Sequence, residues 1–300
     1  MVRRLPPDLL QTYNKLIEDQ KMRDFIEEVI DDDNSYGHYL PHRSVKKDSK
    51  TTPIRIVYDC SCRQSIDAPS LNDCLQTGPP LLNDLSAILL RFRLNDIALT
   101  SDIEKAFLNI RLNKEDREFT KFLWLSNPSD VESALKVYRF KVVLFGAVCS
   151  PFILNAVVKT HLESNASIHT SSDLEENIYV DNIVSGTTTQ AEALDYYNEA
   201  NSLMKSGGFN LRSWSSNSEK LRAVSASDGT LNPDNNVNVL GIRWLVNTDQ
   251  ITYNKKDSAR IQNKSVITKR KVVQDTVSLY DPLGYLTPVV MGANLFIQKL

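Results

Sequence analysis

The chain has 300 residues, 41% hydrophobic and 24% charged, with a formal net charge of −2. That is the make-up of a globular protein of one large domain or a few subdomains, and it does not advertise nucleic-acid binding. No apolar run approaches the ~20 residues of a membrane span. Pro6-Pro7-Asp8 leaves no room for a signal-peptide core, and four cysteines (Cys60, Cys62, Cys74, Cys149) in a chain this long read as free thiols of the cytosol rather than a disulfide framework.

Residues 8–30 carry Leu9, Tyr13, Leu16, Phe25 and Val29 near one face and predict an amphipathic helix, ended by Asp31-Asp32-Asp33-Asn34. Residues 34–53 are polar and read as a loop or hairpin, and Ile54 to Tyr58 as a strand. Pro79-Pro80 precedes a second helix over Leu81, Leu82, Leu85, Ile88, Leu89 and Phe92. Strands are predicted at 97–103 and 108–112, followed by a short helix opened by Asn113. Lys121–Leu125 and Val137–Leu144 read as strands about the turn Asn127-Pro128-Ser129-Asp130. Ser150-Pro151 opens a helix with proline at its first position. Thr189 and Glu192 form a capping box before a helix that Gly207-Gly208 ends. Strands return at 209–214 and 238–245. Lys269–Leu279 reads as helical and stops at Asp281-Pro282-Leu283-Gly284. The order mixes α and β without regular βαβ alternation.

Charge is unevenly spread. Acids crowd 18–33, bases crowd 254–271, and Arg43, Lys46, Lys47, Lys50 and Arg55 form a third cluster. Such basic surfaces are compatible with a groove for phosphates; as a pattern alone they read as solvated faces.

Two segments carry a carboxylate inside an apolar, β-rich stretch: Ala98-Leu-Thr-Ser-Asp102-Ile-Glu-Lys-Ala-Phe107 and Asn177-Ile-Tyr-Val-Asp181-Asn182-Ile-Val. Burying a charge is unfavourable unless it is paired, and neither aspartate has an obvious lysine or arginine partner beside it. A pair of divalent metal ions explains both, because carboxylates converging on two metals stabilise the attacking and leaving oxygens of phosphoryl transfer. Asp181-Asn182 is good turn chemistry and predicts a tight hairpin with Asp181 at its tip. Taken singly, Asp102 also reads as a surface aspartate, Phe107 as a core residue and 177–184 as an ordinary hairpin.

Further segments align with these in a fixed order. They are Pro53-Ile-Arg55-Ile-Val-Tyr-Asp59, Phe145-Gly146-Ala-Val-Cys-Ser150-Pro151-Phe-Ile-Leu-Asn155, Gly208-Phe-Asn-Leu-Arg212 and Val239-Leu240-Gly241-Ile-Arg-Trp244. Together with Asp102, Phe107 and Tyr179-Val-Asp-Asn182 they resemble a reverse transcriptase. Asn182 departs from the usual Tyr-x-Asp-Asp box, Asn155 stands where glutamine is usual, and no proline precedes Phe145. Ser70-Leu-Asn-Asp-Cys-Leu-Gln-Thr-Gly-Pro-Pro, Asn210-Leu-Arg-Ser-Trp-Ser-Ser-Asn217 and Tyr280-Asp-Pro-Leu-Gly-Tyr-Leu-Thr-Pro288 resemble the polymerase of BEL/Pao long-terminal-repeat retrotransposons.

The resemblance implies an α+β right-hand polymerase fold. It divides the chain into an N-terminal helix (1–30), fingers (31–78 and 113–149), palm (79–112 and 150–248) and the start of a thumb or connection (249–300). It implies RNA-directed DNA synthesis with an RNA template, a DNA or RNA primer, deoxynucleoside triphosphates and two Mg²⁺ ions, or Mn²⁺, on Asp102 and Asp181, with Asn182 in the same catalytic box. Lys47 and Arg55 would meet the triphosphate and Phe107 the sugar. Gly146, Ser150, Asn155 and Tyr179 would line the nucleotide or template, and Leu240-Gly241 would hold the primer end. The expected setting is a cytoplasmic virus-like particle, with the protease, ribonuclease H and integrase of the polyprotein outside this chain. The alternative is a degenerate or domesticated copy that binds nucleic acid without catalysis.

Overall fold

The computed structural model describes residues 5–30, 32, 36–46, 54–252, 268–270, 273–274 and 280–299. Contacts divide the chain into two units, Met1–Leu81 with Lys105–Val158, and Leu82–Glu104 with Lys159–Leu300. Among the described residues no helix is long and apolar enough to cross a membrane, and all four cysteines are free.

In chain order the first unit carries α1 (Pro7–Met22), β1 (Ile26–Val29), β2 (His42–Lys46), β3 (Ile54–Tyr58), α2 (Leu71–Cys74), β5 (Lys121–Leu125), β6 (Leu135–Phe140) and the start of α4 (Ser150–Glu163). Proline at the start of α1 and Asp8 in its first turn suit a helix N-terminus, and its inner face buries Leu10, Tyr13 and Ile17. The helix ends at Met22, not near residue 30, because Asp24 turns left-handed at φ 61°. The residues beyond form β1, which pairs antiparallel with β6, itself paired with β5. The acidic run is thereby matched with bases. Glu27 lies opposite Arg139 with a 2.8 Å ion pair, and Glu28 pairs with Lys136 at 2.8 Å.

Tyr13, Ile17, Ile26, Tyr58, Phe122, Trp124 and Phe140 share the core of this unit. Tyr13 stacks on Trp124 with ring centroids 4.6 Å apart. Lys121, 2% exposed, is held by Asp32 at 2.9 Å and Glu118 at 2.8 Å. The alternating stretch 108–112 is not a strand. Lys105 turns left-handed at φ 50° and launches a 3-10 turn over Ala106–Asn109, leaving a single bridge from Arg111 to Val142.

The second unit carries α3 (Leu85–Arg91), β4 (Ile97–Ile103), α5 (His169–Asn177), β7 (Ile178–Tyr179), β8 (Asn182–Thr187), α6 (Gln190–Ser206), β9 (Leu211–Ser216), α7 (Glu219–Ser227), β10 (Asn236–Val239), β11 (Ile242–Leu245), β12 (Gln250–Thr252) and α8 (Thr287–Lys299). Its main sheet runs β7-β8-β4-β9, antiparallel throughout. β4 is central, and every residue of it but Asp102 is buried. The capping box at Thr189 and Glu192 forms in both directions, and α6 ends at Gly207. A second sheet, β10-β11-β12, shares a core with α3 in which Phe92 meets Trp244 edge-on at 5.0 Å. Most of the helix predicted over 269–279 and most of the basic run 254–271 lie outside the described residues.

Candidate active site

Asp102 sits near the end of β4, opposite Asn182 of β8 on one side and Arg212 of β9 on the other. Directly opposed residues of antiparallel strands present their side chains to one face, so the three groups share a surface. Asp181 lies in the connection between Tyr179 and Asn182, which face each other across β7 and β8. The amide of Ile103 donates to the Asp181 carbonyl at 2.8 Å, which fixes this tip beside the end of β4. The hairpin is as tight as its sequence predicts, but the turn pair is Val180-Asp181, with Asn182 already in the strand. Val180 takes the left-handed conformation at φ 58°, a strain of roughly 1–2 kcal/mol for an L-residue. Such strain persists where the surroundings over-determine it.

Burial, and then the neighbouring Asp102 carboxylate, push the Asp181 carboxyl above its ordinary range. The Asn182 amide donates to Asp181 Oδ1 at 2.9 Å. Asp102 is not without a basic partner: Arg212 Nε donates to its Oδ2 at 3.1 Å. Sequence reading missed this pair because it depends on a bulge. Thr100 pairs with Ser215, yet Asp102 pairs with Arg212, so β9 holds one extra residue between them. Ser213 absorbs it at φ 54°. Regular pairing would put Ser213 opposite Asp102 and turn Arg212 to the other face. Asp102, Asn182, Ser213 and Asp234 help line a polar cavity of about 320 Å³ against β10.

In the first unit, Arg55 projects from β3 opposite Val45. With Lys105, Gln20 and Phe25 it lines a cavity of about 220 Å³. Lys47 lies outside the described residues. Phe107 is 7% exposed and meets Phe145 edge-on at 5.4 Å, while Phe145 itself is 72% exposed. Gly146 needs to be glycine for its φ of +108°. Its loop is clamped by Asn72, whose Nδ2 donates to the Gly146 carbonyl at 3.1 Å and whose Oδ1 accepts from the Val148 amide at 3.0 Å. Asn72 thus gives the Ser70-Leu-Asn-Asp segment a role that its sequence did not reveal, while Ser70 and Asp73 form a capping box.

Ser150 and Asn155 are buried. Ser150 Oγ donates to the Leu144 carbonyl at 2.5 Å, and Asn155 Nδ2 to the Pro151 carbonyl at 2.6 Å, so both brace the loop and the start of α4. In the second unit, Tyr179 packs against the α3 core. Leu240 and Gly241 form the loop between β10 and β11, both left-handed at φ 47° and 94°. A Cβ on Gly241 would come within 2.4 Å of the Tyr280 ring, so glycine is required twice over.

Asp102 and Asp181 fit magnesium in a particular way. Two neighbouring carboxylates, one of them raised by burial and then by the charge of the other, form an all-oxygen set whose repulsion a divalent cation would offset. Among the described residues no cluster of three or more histidine, cysteine, aspartate or glutamate side chains surrounds a metal position. Carboxylate pairs suit a hard cation such as Mg²⁺ that takes its remaining ligands from substrate phosphates and water.

The arrangement of antiparallel sheets and helices is an α+β polymerase fold, and solved structures share it. A foamy viral protease-reverse transcriptase in complex with double-stranded DNA aligns with TM-score 0.63 and 15% identity over 97% of this chain and 44% of that one. A second, in complex with an RNA/DNA hybrid, aligns with TM-score 0.62 and 15% identity over 99% of this chain and 34% of that one. This chain thus spans less than half the length of either. A comparison with curated proteins finds no match.

Residues 7–244 match the family described as reverse transcriptase (RNA-dependent DNA polymerase), and the chain belongs to that family. Residues 268–300, expected to begin a thumb or connection, match a family described as a Pao retrotransposon-like RNaseH-like domain. This bears out the resemblance to the BEL/Pao branch.

Proposed function

We propose that the chain carries out RNA-directed DNA synthesis for a BEL/Pao-type element, the 3′-hydroxyl of a primer attacking the α-phosphate of a deoxynucleoside triphosphate with pyrophosphate leaving. The observation that carries this reading is the meeting of Asp102 and Asp181 at one end of β4, within a chain that matches the reverse transcriptase family. Two divalent ions held by Asp102 and Asp181, with Asn182 beside them, would offset charge on the attacking and leaving oxygens. The protein's own part is positioning and charge neutralisation. Arg55 and Lys47 neutralise the triphosphate, the rigid donor fork of arginine suiting phosphate oxygens. Phe107, braced by Phe145, meets the sugar where a 2′-hydroxyl would stand. Gly146 lets backbone approach the nucleotide or template, and Tyr179 lines the nucleotide or template. Ser150 and Asn155 act through the loop they hold. Leu240-Gly241 supports the primer end. RNA template and primer are the partners, in a cytoplasmic virus-like particle.

Primer extension on an RNA template with Mg²⁺ tests the reading. Template-directed incorporation of deoxynucleotides is the expected result. A folded chain that binds an RNA–DNA duplex and extends nothing with Mg²⁺ or Mn²⁺ would support the alternative of a non-catalytic copy. Two observations keep that alternative in play: Asn182 in place of an acid, and Arg212 seated on Asp102.

A further inference from the structure

The strained bulge in β9 has one evident consequence for the site: it turns Arg212 onto the face of Asp102. Arg212 Nε lies 3.1 Å from Asp102 Oδ2, and Nη1 lies 4.0 Å from Glu104. The two side chains are 50% and 32% exposed, so the pair is open to exchange with solvent ions. On the other flank, the Asn182 amide occupies Asp181 Oδ1. Each carboxylate of the centre is thus engaged by a donor of the chain itself.

We propose that Arg212 is a positioning residue of the catalytic centre that stands in for a divalent cation: it neutralises and orients Asp102 while no cation is bound, and gives that carboxylate up when one enters. The inference rests on the reading of Asp102 as a metal ligand. It assigns this chain a built-in competition for its own metal site. A guanidinium brings one delocalised charge to the carboxylate, whereas Mg²⁺ or Mn²⁺ brings two on a compact centre, so the cation displaces it at sufficient concentration. The apparent metal affinity falls by the fraction of molecules in which Asp102 is free. For an exposed ion pair of ordinary strength that fraction lowers affinity about two- to sixfold.

Direct metal binding tests this without reference to activity. Mn²⁺ is titrated into the full chain and free Mn²⁺ is counted by electron paramagnetic resonance, for wild type, Arg212→Gln, Arg212→Lys and Asp102→Asn. Arg212→Gln is expected to bind Mn²⁺ about two- to sixfold more tightly than wild type. It should also melt lower without metal and gain more on adding Mn²⁺. Arg212→Lys keeps the charge and should stay near wild type. An affinity for Arg212→Gln equal to or weaker than wild type, with binding lost in Asp102→Asn, would overturn the inference and leave the metal site standing. Unchanged binding in Asp102→Asn would instead remove the metal-ligand reading on which the inference depends. Absence of binding in wild type and Arg212→Gln alike would contradict it as well.

Discussion

At the scale of single residues, the centre is defined by who engages each carboxylate. Asn182 donates to Asp181 rather than facing it with a second charge. Asn182→Asp would remove that donor and set a third carboxylate beside two others. The expected result is a less stable metal-free protein and a lower Mg²⁺ concentration for half-maximal extension, by about tenfold if the added ligand contributes ~1.4 kcal/mol. Titrating Mg²⁺ against initial rate for both proteins checks it; identical midpoints would place residue 182 outside the metal shell. Phe107 is buried against Phe145. Phe107→Val should admit ribonucleotides, seen as a fall in the dNTP/rNTP ratio of kcat/KM, with a stability loss of about 1–3 kcal/mol. An unchanged ratio would make Phe107 a packing residue only. The carboxylates were legible in the sequence because each breaks an apolar strand pattern. Arg212 was not, because one extra residue in β9 decides which face it takes, and nothing local marks Ser213 as left-handed.

At the scale of elements, what could be read depended on how far away the partners lie. The capping box of α6 and the strand β4 are written in consecutive residues and stand as predicted. The stretch after Met22 looked helical because Phe25 and Val29 continue the apolar face of Leu9, Tyr13 and Leu16, and its acids then fall to a solvated face. Their actual partners, Lys136 and Arg139, lie on β6, more than a hundred residues on. Likewise 108–112 alternates like a strand, yet the left-handed Lys105 closes a 3-10 turn that sets Phe107. The buried Lys121 ties β5 to Asp32 and Glu118. Lys121→Met would take this cation from the buried Asp32 side chain, while Glu118 keeps its ion pair with Arg139, and should lower unfolding free energy by about 3–5 kcal/mol. Denaturant unfolding measures it, and a loss below ~1 kcal/mol would show that solvent or another base compensates.

At the scale of the whole molecule, the order of the motifs was the strongest sequence signal, and the match of residues 7–244 to the reverse transcriptase family agrees with it. The net charge of −2 argued weakly against a nucleic-acid partner, because a sum hides distribution. Within the first unit, Asp24, Glu27, Glu28 and Asp32 of the acidic run are each paired with a base. Bases crowd 254–271, so affinity for an RNA–DNA duplex should fall steeply with salt, as counterion release requires, and weaken when Lys269 and Arg270 become glutamine; a flat salt response would contradict a phosphate-gripping surface. The central claim is that Asp102 and Asp181 form one centre for nucleotidyl transfer. The most direct measurement is the initial rate of primer extension on an RNA template for Asp102→Asn and Asp181→Asn, each checked for an unchanged melting profile. The account predicts that both variants fold and bind the duplex yet lose extension. Near-wild-type extension by either, with its fold intact, would contradict it.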